Sequence, residues 1–528
     1  MRFLLVNPFY PISECPSPPL GLAYLAGALE QAGIEVRVLD LVMYKYSPQR
    51  LEAVLDEFQP HLVGATAVTM TYDHAASILA DAKALDPGLK TVMGGPHVTF
   101  CAEETMLLNP NLDFIVLGEG EEAVVRLARA VEKNKGFEEI TGLVFRRNNE
   151  PVFTGPREPG LDVNRIPMPA RHLLPLGRYR TLGLAISMTT SRGCPFKCIF
   201  CVGRRMVGAK VRYRDPVKVV DEMETLAARD FPQINIVDDL FTANKKHCHA
   251  VCDEILRRGL KVKWTSFARV DTVSREVLAH MKEAGCGAVS FGVESGNAEI
   301  LKTVEKGITL DGVIAAVQMC NDAGVTPMAS FILGLPGETP ETVQETVAFG
   351  QKLNDLGVSH GYHLLAPFPG TKVREESERY GIKILTHDWR QYHANRAIVE
   401  TASARKAMLD EVAMKWERQF DEYLGHIKEK MKTGEAADEE ASILVNLERT
   451  VLTYDLLMDE VVEAHGFWPD DGGTSEEQDI ETLAGRVARA AGRNETEVAA
   501  ALEYARVRKS LRRSREDGLT RWAWVDYL

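Results

Sequence analysis

Three cysteines are clustered in one short segment of the 528-residue sequence. Cys194, Cys198 and Cys201 lie in the stretch TTSRGCPFKCIFCVG, and no fourth cysteine or histidine follows close behind. Clustered thiols without a disulfide framework are typical of metal binding or catalysis in a reducing compartment. A structural zinc site takes four protein ligands, whereas an iron–sulfur cluster held by three cysteines leaves one iron open for chemistry. The spacing therefore favours an iron–sulfur cluster with one open iron.

Other cysteines lie farther along the chain. The segment KKHCHAVCDEIL contains His247, Cys248, His249 and Cys252. Its distance in sequence from the three clustered cysteines disfavours a zinc site shared between the two segments. Cys286 and Cys320 fall on apolar faces of predicted helices, where buried cysteine acts as a small hydrophobic residue.

The composition excludes several classes of protein. The chain is 45% hydrophobic, and its length suggests about three domains with their own cores. The net charge of −13 is spread along the sequence, which disfavours nucleic acid as a partner. We expect no membrane span, because the sequence lacks a run of about eighteen apolar residues. The opening MRFLLVNPFYP is too soon broken by prolines for a signal peptide, so a cytoplasmic protein is expected.

Short apolar runs alternate with helix-sized segments in residues 1–135. RFLLVNP, EVRVLDL, LVGATAV, KTVMGGP and FIVLGEG predict five buried strands of a Rossmann-like, doubly wound parallel sheet. Such sheets bind ligands at the carboxyl ends of their strands. No GxGxxG motif follows the first strand, which disfavours a nicotinamide cofactor. The candidate binding residues at this edge are Asn7, Thr69, Met70, Gly94, Gly95, His97, Gly118, Glu119 and Gly120.

The rest of the chain divides into three parts. Residues 136–184 are interpreted as a linker that contains a hairpin closed by Asn148 and Asn149. Residues 185–395 show six strand–helix units, which predict a partial (β/α)6 barrel with its chemistry at the strand ends. The three cysteines follow the first of these strands. Residues 396–528 predict an all-helical domain, either a cap over the barrel or a packing appendage.

The cysteine segment resembles the radical S-adenosylmethionine superfamily, whose CxxxCxxC motif follows the first barrel strand. The resemblance covers about residues 185–372 and includes FGVESG and PFPGT. It implies a 4Fe-4S cluster on the three cysteines, whose open iron binds S-adenosylmethionine, and reductive cleavage to a 5′-deoxyadenosyl radical. A reductant such as flavodoxin or ferredoxin would supply the electron. The residues that the resemblance assigns to S-adenosylmethionine are Phe200, Arg269, Glu294, Ser295 and Gly334.

Residues 1–135 resemble the cobalamin-binding domain of cobalamin-dependent radical S-adenosylmethionine enzymes. PPLGLAYLAGALEQAG, GGPHVTF and LGEGE carry this resemblance, and a vestigial domain that binds nothing is the alternative. The Asp-x-His-x-x-Gly motif that supplies a histidine to cobalt is absent. The resemblance therefore implies base-off cobalamin without a histidine ligand. His74 is interpreted as a surface residue of a helix.

The combined resemblance implies a C-methyltransferase that acts on an unactivated carbon of a small molecule through a 5′-deoxyadenosyl radical and methylcobalamin. A cobalamin-dependent cyclase, oxidase or rearrangement enzyme is the alternative, since TSRGCPFKCIFC is also similar to the anaerobic cyclase of bacteriochlorophyll synthesis. A non-catalytic cobalamin or cluster sensor is a further alternative, disfavoured because a sensor needs no open iron. In VSHGYHLL, His360, Tyr362 and His363 cannot all face the substrate, because alternate strand positions face opposite sides. Tyr362 and His363 are the catalytic candidates.

Overall fold

The computed structural model describes residues 1–11, 16–156, 160–470 and 472–528. Its first sheet has seven strands in the order β2-β1-β3-β4-β5-β6-β7, of which β1 to β5 are parallel. These strands are β1 (Arg2–Asn7), β2 (Glu35–Asp40), β3 (Leu62–Thr66), β4 (Lys90–Gly94), β5 (Phe114–Val116), β6 (Leu143–Arg147) and β7 (Glu150–Phe153). The five predicted parallel strands are confirmed.

Helices cover both faces of this sheet, so that its strands separate two apolar clusters. They are α1 (Leu20–Gln31), α2 (Pro48–Phe58), α3 (Tyr72–Leu85), α4 (Pro96–Phe100), α5 (Ala102–Leu108) and α6 (Glu121–Lys133). Burial on both faces explains why the strands are continuous apolar runs in the sequence. The strand order reverses between β1 and β3, and ligands of doubly wound sheets bind at such a point.

The prediction that residues 136–184 form a linker is wrong for much of the segment. Asn148 and Asn149 close the predicted hairpin in left-handed conformations, with φ of 50° and 69°. Strand β6 then pairs antiparallel with β5, so the hairpin extends the first sheet. Helix α7 (Leu176–Thr181) follows, and all of its residues are buried. Apolar residues of β6 cover what would otherwise be the exposed edge of β5.

The central part contains six parallel strands in the order β15-β14-β13-β12-β11-β8, which is the chain order expected of an incomplete barrel. Strands β9 and β10 form a separate antiparallel pair beside it. The strands are β8 (Ile186–Met188), β9 (Ser191–Arg192), β10 (Arg212–Tyr213), β11 (Ile234–Ile236), β12 (Trp264–Ala268), β13 (Cys286–Glu294), β14 (Thr326–Leu333) and β15 (Ser359–Leu364). All six predicted barrel strands are confirmed, and Cys286 begins a strand rather than lying on a helix.

Six helices of the central part begin at capping side chains that accept hydrogen bonds from the first turn. The caps of α9 to α14 are Asp215, Asn244, Ser274, Asn297, Thr309 and Thr339. The helices are α8 (Gly203–Val207), α9 (Pro216–Ala227), α10 (Lys245–Arg258), α11 (Arg275–Glu283), α12 (Ala298–Thr303), α13 (Leu310–Ala323), α14 (Pro340–Asn354) and α15 (Lys372–Glu375). These caps fix where each helix starts, and thereby the length of the loop after each strand.

The prediction that residues 396–528 are all-helical is wrong. The described residues of this segment form five helices: α16 (Lys406–Thr433), α17 (Asp438–Met458), α18 (Val461–His465), α19 (Glu476–Ala491) and α20 (Glu495–Val507). After the short strands β16 (Lys383–Ile384) and β17 (Val399–Glu400), the chain also forms β18 (Phe467–Pro469), β19 (Leu511–Glu516) and β20 (Leu519–Trp524), in the antiparallel order β18-β20-β19. Asp517 and Gly518, both at positive φ, close the hairpin. Thr520, Trp522 and Trp524 alternate to one buried face.

The C-terminal unit packs against both other parts. Val42 and Met43, which follow β2, share an apolar cluster with Tyr179 of α7 and the C-terminal helices. The Arg178 side chain donates to Asp526 at 2.6 Å and to Glu463 at 2.8 Å. No helix within the described ranges is long and apolar enough to cross a membrane.

Candidate functional site

The loop after β8 carries the three cysteines and is held by two aspartates that follow β11. Asp238 accepts hydrogen bonds from the Thr190 hydroxyl at 2.6 Å and the Ser191 hydroxyl at 2.7 Å. Asp239 accepts from the backbone N–H of Gly193 at 3.2 Å. Gly193 has φ of +119°, and a Cβ there would lie 3.0 Å from the Val211 backbone. The loop thus has a fixed path that a larger residue at this position would disturb.

The cysteine thiols interact electrostatically with one another and with two cations. Loss of solvation raises the pKa of all three thiols, that of Cys201 to about 11. The positive charges of Lys306 and Arg269 offset part of this rise in the pKa of Cys198. Iron binding must displace the thiol protons, and nearby cations favour the thiolate. Three soft ligands on one loop beside fixed cations fit a 4Fe-4S cluster.

Arg269 lies directly against the cysteine loop. Its guanidinium carbon is 3.5 Å from the centre of the Phe196 ring. Two of its nitrogens donate to Asp271, each at 2.9 Å, and Nη2 also donates to the Lys306 carbonyl at 2.8 Å. Its Nη1 is buried and has no hydrogen-bond partner among the described residues. An unpaired buried donor beside the cluster loop fits a carboxylate such as that of S-adenosylmethionine.

Glu294 ends β13 in a left-handed conformation, with φ of +70°. Its Oε1 accepts from Lys306 Nζ at 2.6 Å, and both side chains are 8% exposed. The neighbouring Ser295 hydroxyl lies 3.1 Å from that of Thr346 and accepts from the Asn297 N–H. Arg269 and Glu294 therefore both contact Lys306 beside the cysteine loop. Ser295 instead uses its hydroxyl to shape the loop.

Two other residues assigned to S-adenosylmethionine have structural contacts. The backbone N–H of Gly334 donates to Glu338 Oε2 at 2.6 Å, and Gly334 has φ of +89°. Burial raises the pKa of Glu338 to about 8. Phe200 is partly buried against an apolar cluster that includes Ile199 and Leu335. Lys306 was missed by the sequence analysis, because a lysine after a helix gives no local signal of burial.

A cavity of about 270 Å³ opens at the carboxyl edge of the first sheet. Among the predicted residues, Gly94, Gly95, Gly118, Glu119 and Gly120 line it. Gly21 of α1 also lines it, and a Cβ at Gly21 would meet no atom within 4 Å. Most of the other lining residues are apolar. An apolar, glycine-lined cavity beside the strand ends fits a flat organic group of cobalamin.

The other predicted cobalamin residues lie outside the lining of this cavity. Asn7 donates to Asp40 Oδ1 at 2.8 Å. Thr69 and Met70 lie in a short turn, and the Thr69 hydroxyl is 3.4 Å from His97 Nδ1. The buried His97 ring lies 4.3 Å from Tyr72 and 4.9 Å from Trp389, between ring centres. Burial lowers the pKa of His97 to about 4.

A charged bridge that no local sequence pattern indicates joins the cavity to the cysteine loop. Arg192 Nη1 donates to Glu119 at 3.0 Å, and its Nη2 lies 2.7 Å from Glu121 Oε1. Arg212 Nη1 donates to the other oxygen of Glu119 at 2.9 Å. Arg192, Glu119 and Glu121 all line the cavity. The bridge therefore joins the first sheet to the segment that enters the cysteine loop.

The structure separates the three polar residues of β15. Tyr362 stacks on Phe331 and donates to the Val347 carbonyl at 3.4 Å, and burial raises its pKa to about 12. His360 lies on the same face, 5.3 Å from the Tyr362 ring. The hydroxyl of the catalytic candidate Tyr362 thus contacts helix α14. His363, the other candidate, is exposed. His74 is exposed on α3, as predicted for a surface histidine.

Two family profiles match the chain. The profile of the Radical SAM superfamily matches residues 188–350, which contain the cysteine loop. The profile of the B12 binding domain matches residues 14–128, which contain most of the cavity lining.

Curated relatives match much of the chain. An uncharacterized methyltransferase of Pyrococcus horikoshii is 36% identical over 377 residues, covering 71% of this chain and 81% of the relative. The anaerobic magnesium-protoporphyrin IX monomethyl ester cyclase of Rubrivivax gelatinosus is 30% identical over 437 residues, covering 80% of this chain and 77% of the relative.

Solved structures share the architecture. TsrM from Kitasatospora setae, a radical S-adenosylmethionine methyltransferase solved with tryptophan and an S-adenosylmethionine analogue, has a TM-score of 0.62 at 25% identity, covering 72% of this chain and 78% of TsrM. The cobalamin-dependent radical enzyme OxsB has a TM-score of 0.68 at 18% identity, covering 96% of this chain and 79% of OxsB, which shows a common fold. The chain belongs to the cobalamin-dependent radical S-adenosylmethionine enzymes.

Proposed function

We propose that the protein is a C-methyltransferase that methylates an unactivated carbon of a small molecule. The observation that supports this proposal is the Arg192 bridge, because Arg192 lies in the segment that enters the cysteine loop and also lines the cavity proposed for cobalamin. A methyl carrier and a radical source must both reach one substrate, so their sites must adjoin. The methyltransferase name of the Pyrococcus horikoshii relative supports the same reaction.

Residues of the chain have distinct parts in this proposal. Cys194, Cys198 and Cys201 hold the cluster, and Arg269 and Glu294 orient S-adenosylmethionine. When bound, the cluster supplies the electron that cleaves S-adenosylmethionine, and cobalamin supplies the methyl group. The electron comes from a flavodoxin or ferredoxin, and the free cysteines favour a reducing cytoplasm. His363 remains a candidate for substrate contact because it is exposed at β15.

Cobalamin is proposed to bind base-off and without a histidine ligand. If the nucleotide base of cobalamin binds in the apolar cavity, that base is held away from cobalt. His97 is enclosed by Tyr72 and Trp389, and His74 lies on the surface of α3. The electron paramagnetic resonance spectrum of bound cob(II)alamin should therefore lack nitrogen superhyperfine splitting. A clear nitrogen triplet would contradict this binding mode.

The test of methyl transfer uses the reconstituted protein with reduced cobalamin, a reductant and methyl-deuterated S-adenosylmethionine. A methyltransferase should release S-adenosylhomocysteine even without substrate, because the methyl group must first leave one S-adenosylmethionine. It should also release 5′-deoxyadenosine, which requires the cluster. Deuterium should appear in the product once the substrate is present.

A radical cyclase is the second candidate function, and the similarity to the Rubrivivax gelatinosus cyclase favours it. A cyclase should release 5′-deoxyadenosine without cobalamin-dependent S-adenosylhomocysteine. That outcome would replace the methyltransferase proposal. Release of neither product in the reconstituted, reduced protein would favour the non-catalytic sensor.

A further inference from the structure

Lys306 is a buried lysine, and within the described part of the chain its ammonium forms an ion pair with Glu294. It lies between α12 and α13, is 7% exposed as a residue, and its Nζ donates to Glu294 Oε1 at 2.6 Å. A lysine is almost never buried to this extent without a counter-ion, because burial removes the hydration of its charge. The Lys306–Glu294 ion pair therefore neutralises both buried charges at the end of β13.

The backbone of Lys306 contacts a second residue of the same site. Its carbonyl accepts from Arg269 Nη2 at 2.8 Å, and its N–H donates to the Leu301 carbonyl at 3.0 Å, at the end of α12. Helix α12 thus fixes the position of Lys306, which in turn contacts both Arg269 and Glu294.

Packing around the ion pair leaves it little freedom. Gly292 stands two residues before Glu294, and a Cβ at Gly292 would collide with Glu294 Oε1 and lie 3.0 Å from Lys306 Nζ. Glu294 also has a left-handed backbone, which is costly for a residue with a side chain and needs support from its surroundings. The Lys306 ammonium is the close side-chain contact that holds this carboxylate.

We propose that Lys306 is a positioning residue for S-adenosylmethionine, which holds the Glu294 carboxylate by its side chain and the Arg269 guanidinium by its carbonyl. The inference rests on the proposed binding of S-adenosylmethionine by Arg269 and Glu294. It goes beyond that proposal by assigning a role to a residue that is not itself placed against the ligand.

The test measures the affinity of the cluster-loaded protein for S-adenosylmethionine, without substrate or cobalamin. The reduced cluster is titrated with S-adenosylmethionine, and the change in its electron paramagnetic resonance spectrum gives Kd. Lys306→Met should raise Kd at least about tenfold with normal iron content, because it removes one partner of a buried charge pair. Lys302→Met is the matched control, since Lys302 is 80% exposed on α12 and should leave Kd unchanged.

A double-variant cycle shows whether Lys306 acts through Glu294. In the Glu294→Gln protein, the further change Lys306→Met should raise Kd much less than it does in the native protein. If the two substitutions change the free energy of S-adenosylmethionine binding independently and additively, the inference is wrong. So would a native Kd in a Lys306→Met protein that retains its iron.

If Lys306→Met loses the cluster, the same titration is carried out with Lys306→Gln. Glutamine can still donate a hydrogen bond to Glu294 but carries no charge, so weaker binding is expected and a native Kd would overturn the inference. Failure of the native protein to respond to S-adenosylmethionine would contradict the binding site itself. Failure of methyl transfer alone would leave these affinities interpretable, because the titration needs neither cobalamin nor substrate.

Discussion

Arg192 and Glu121 form an ion pair of 2.7 Å between the strand that leads into the cysteine loop and the first helical turn after β5. Their side chains are 16% and 7% exposed. Arg192 stands two residues before Cys194, and both members of the pair line the cavity. The two candidate cofactor sites are thus in contact through one guanidinium.

Arg192→Met should destabilise the protein and weaken cobalamin binding. The change leaves Glu121 buried without its cation and removes one of the two cations that hold Glu119, which costs about 3 kcal/mol for a buried pair. Thermal unfolding and cobalamin titration measure the two effects. Arg396→Met is the matched control, because the Arg396–Glu417 pair is about half exposed and should contribute less than about 1 kcal/mol. Equal melting temperatures for the two variants would contradict the structural role of Arg192.

Each of the variants Cys194→Ala, Cys198→Ala and Cys201→Ala should lose the 4Fe-4S cluster. Iron and sulfide analysis after anaerobic reconstitution measures the loss, because each cysteine supplies one of the three thiolates. Cys320→Ala is the control, since Cys320 is fully buried in α13 within an apolar cluster. A complete cluster in any of the first three variants would show that the ligand set is wrong.

Gly21→Leu should block cobalamin without disturbing the fold. A side chain at Gly21 has free space in the cavity, and leucine is a better helix former than glycine. The expected result is at least about a tenfold loss of cobalamin affinity with an unchanged melting temperature, where each factor of ten is about 1.4 kcal/mol. Gly425→Leu is the control, because Gly425 lies in α16 and also has no atom within 4 Å of a Cβ. Native cobalamin affinity in Gly21→Leu would place the ligand elsewhere.

Stability should fall in weak acid because of His97. Burial lowers the pKa of His97 to about 4, below its ordinary value of 6.5, so the unfolded chain binds the extra proton first as the pH falls. The contribution of uncharged His97 to the free energy of unfolding is complete above its ordinary pKa of 6.5. It is lost progressively as the pH falls from 6.5 to about 4. The loss amounts to about 2 kcal/mol by pH of about 5.

His97→Phe tests this assignment, since phenylalanine keeps the ring contacts with Tyr72 and Trp389 but does not titrate. Melting temperatures of both proteins are compared at about pH 7.5 and pH 5. The difference between the two conditions should be smaller in His97→Phe. An identical pH dependence in the two proteins would assign the acid sensitivity to other groups.

The strands of both sheets were predictable because buried parallel strands are apolar runs separated by helix-sized segments. The hairpin at Asn148 was also predicted, but not its pairing with β5, which depends on an edge that the sequence does not display. The hairpin β19–β20 was missed although Asp517 and Gly518 form a typical turn, because the charged residues before them suggested a helix.

Site residues were predictable where a local motif carries them, as the three cysteines show. The arginine partners of Glu119 lie 73 and 93 residues away, and no local pattern indicates such pairing. Lys306 was missed for the same reason. Tyr362 and His363 were both candidates, because alternation along β15 shows that neighbouring residues face opposite sides but not which side faces the barrel mouth.

The contacts of the C-terminal unit limit how this chain can be shortened. Val42, Met43 and Tyr179 are each no more than 1% exposed, and all three pack in the cluster that the C-terminal helices complete. Deletion of the C-terminal unit would expose an apolar surface both after β2 and on α7. A shortened chain therefore requires polar substitutions after β2 and in α7 together with the deletion, because both segments lose the apolar partner that covers them.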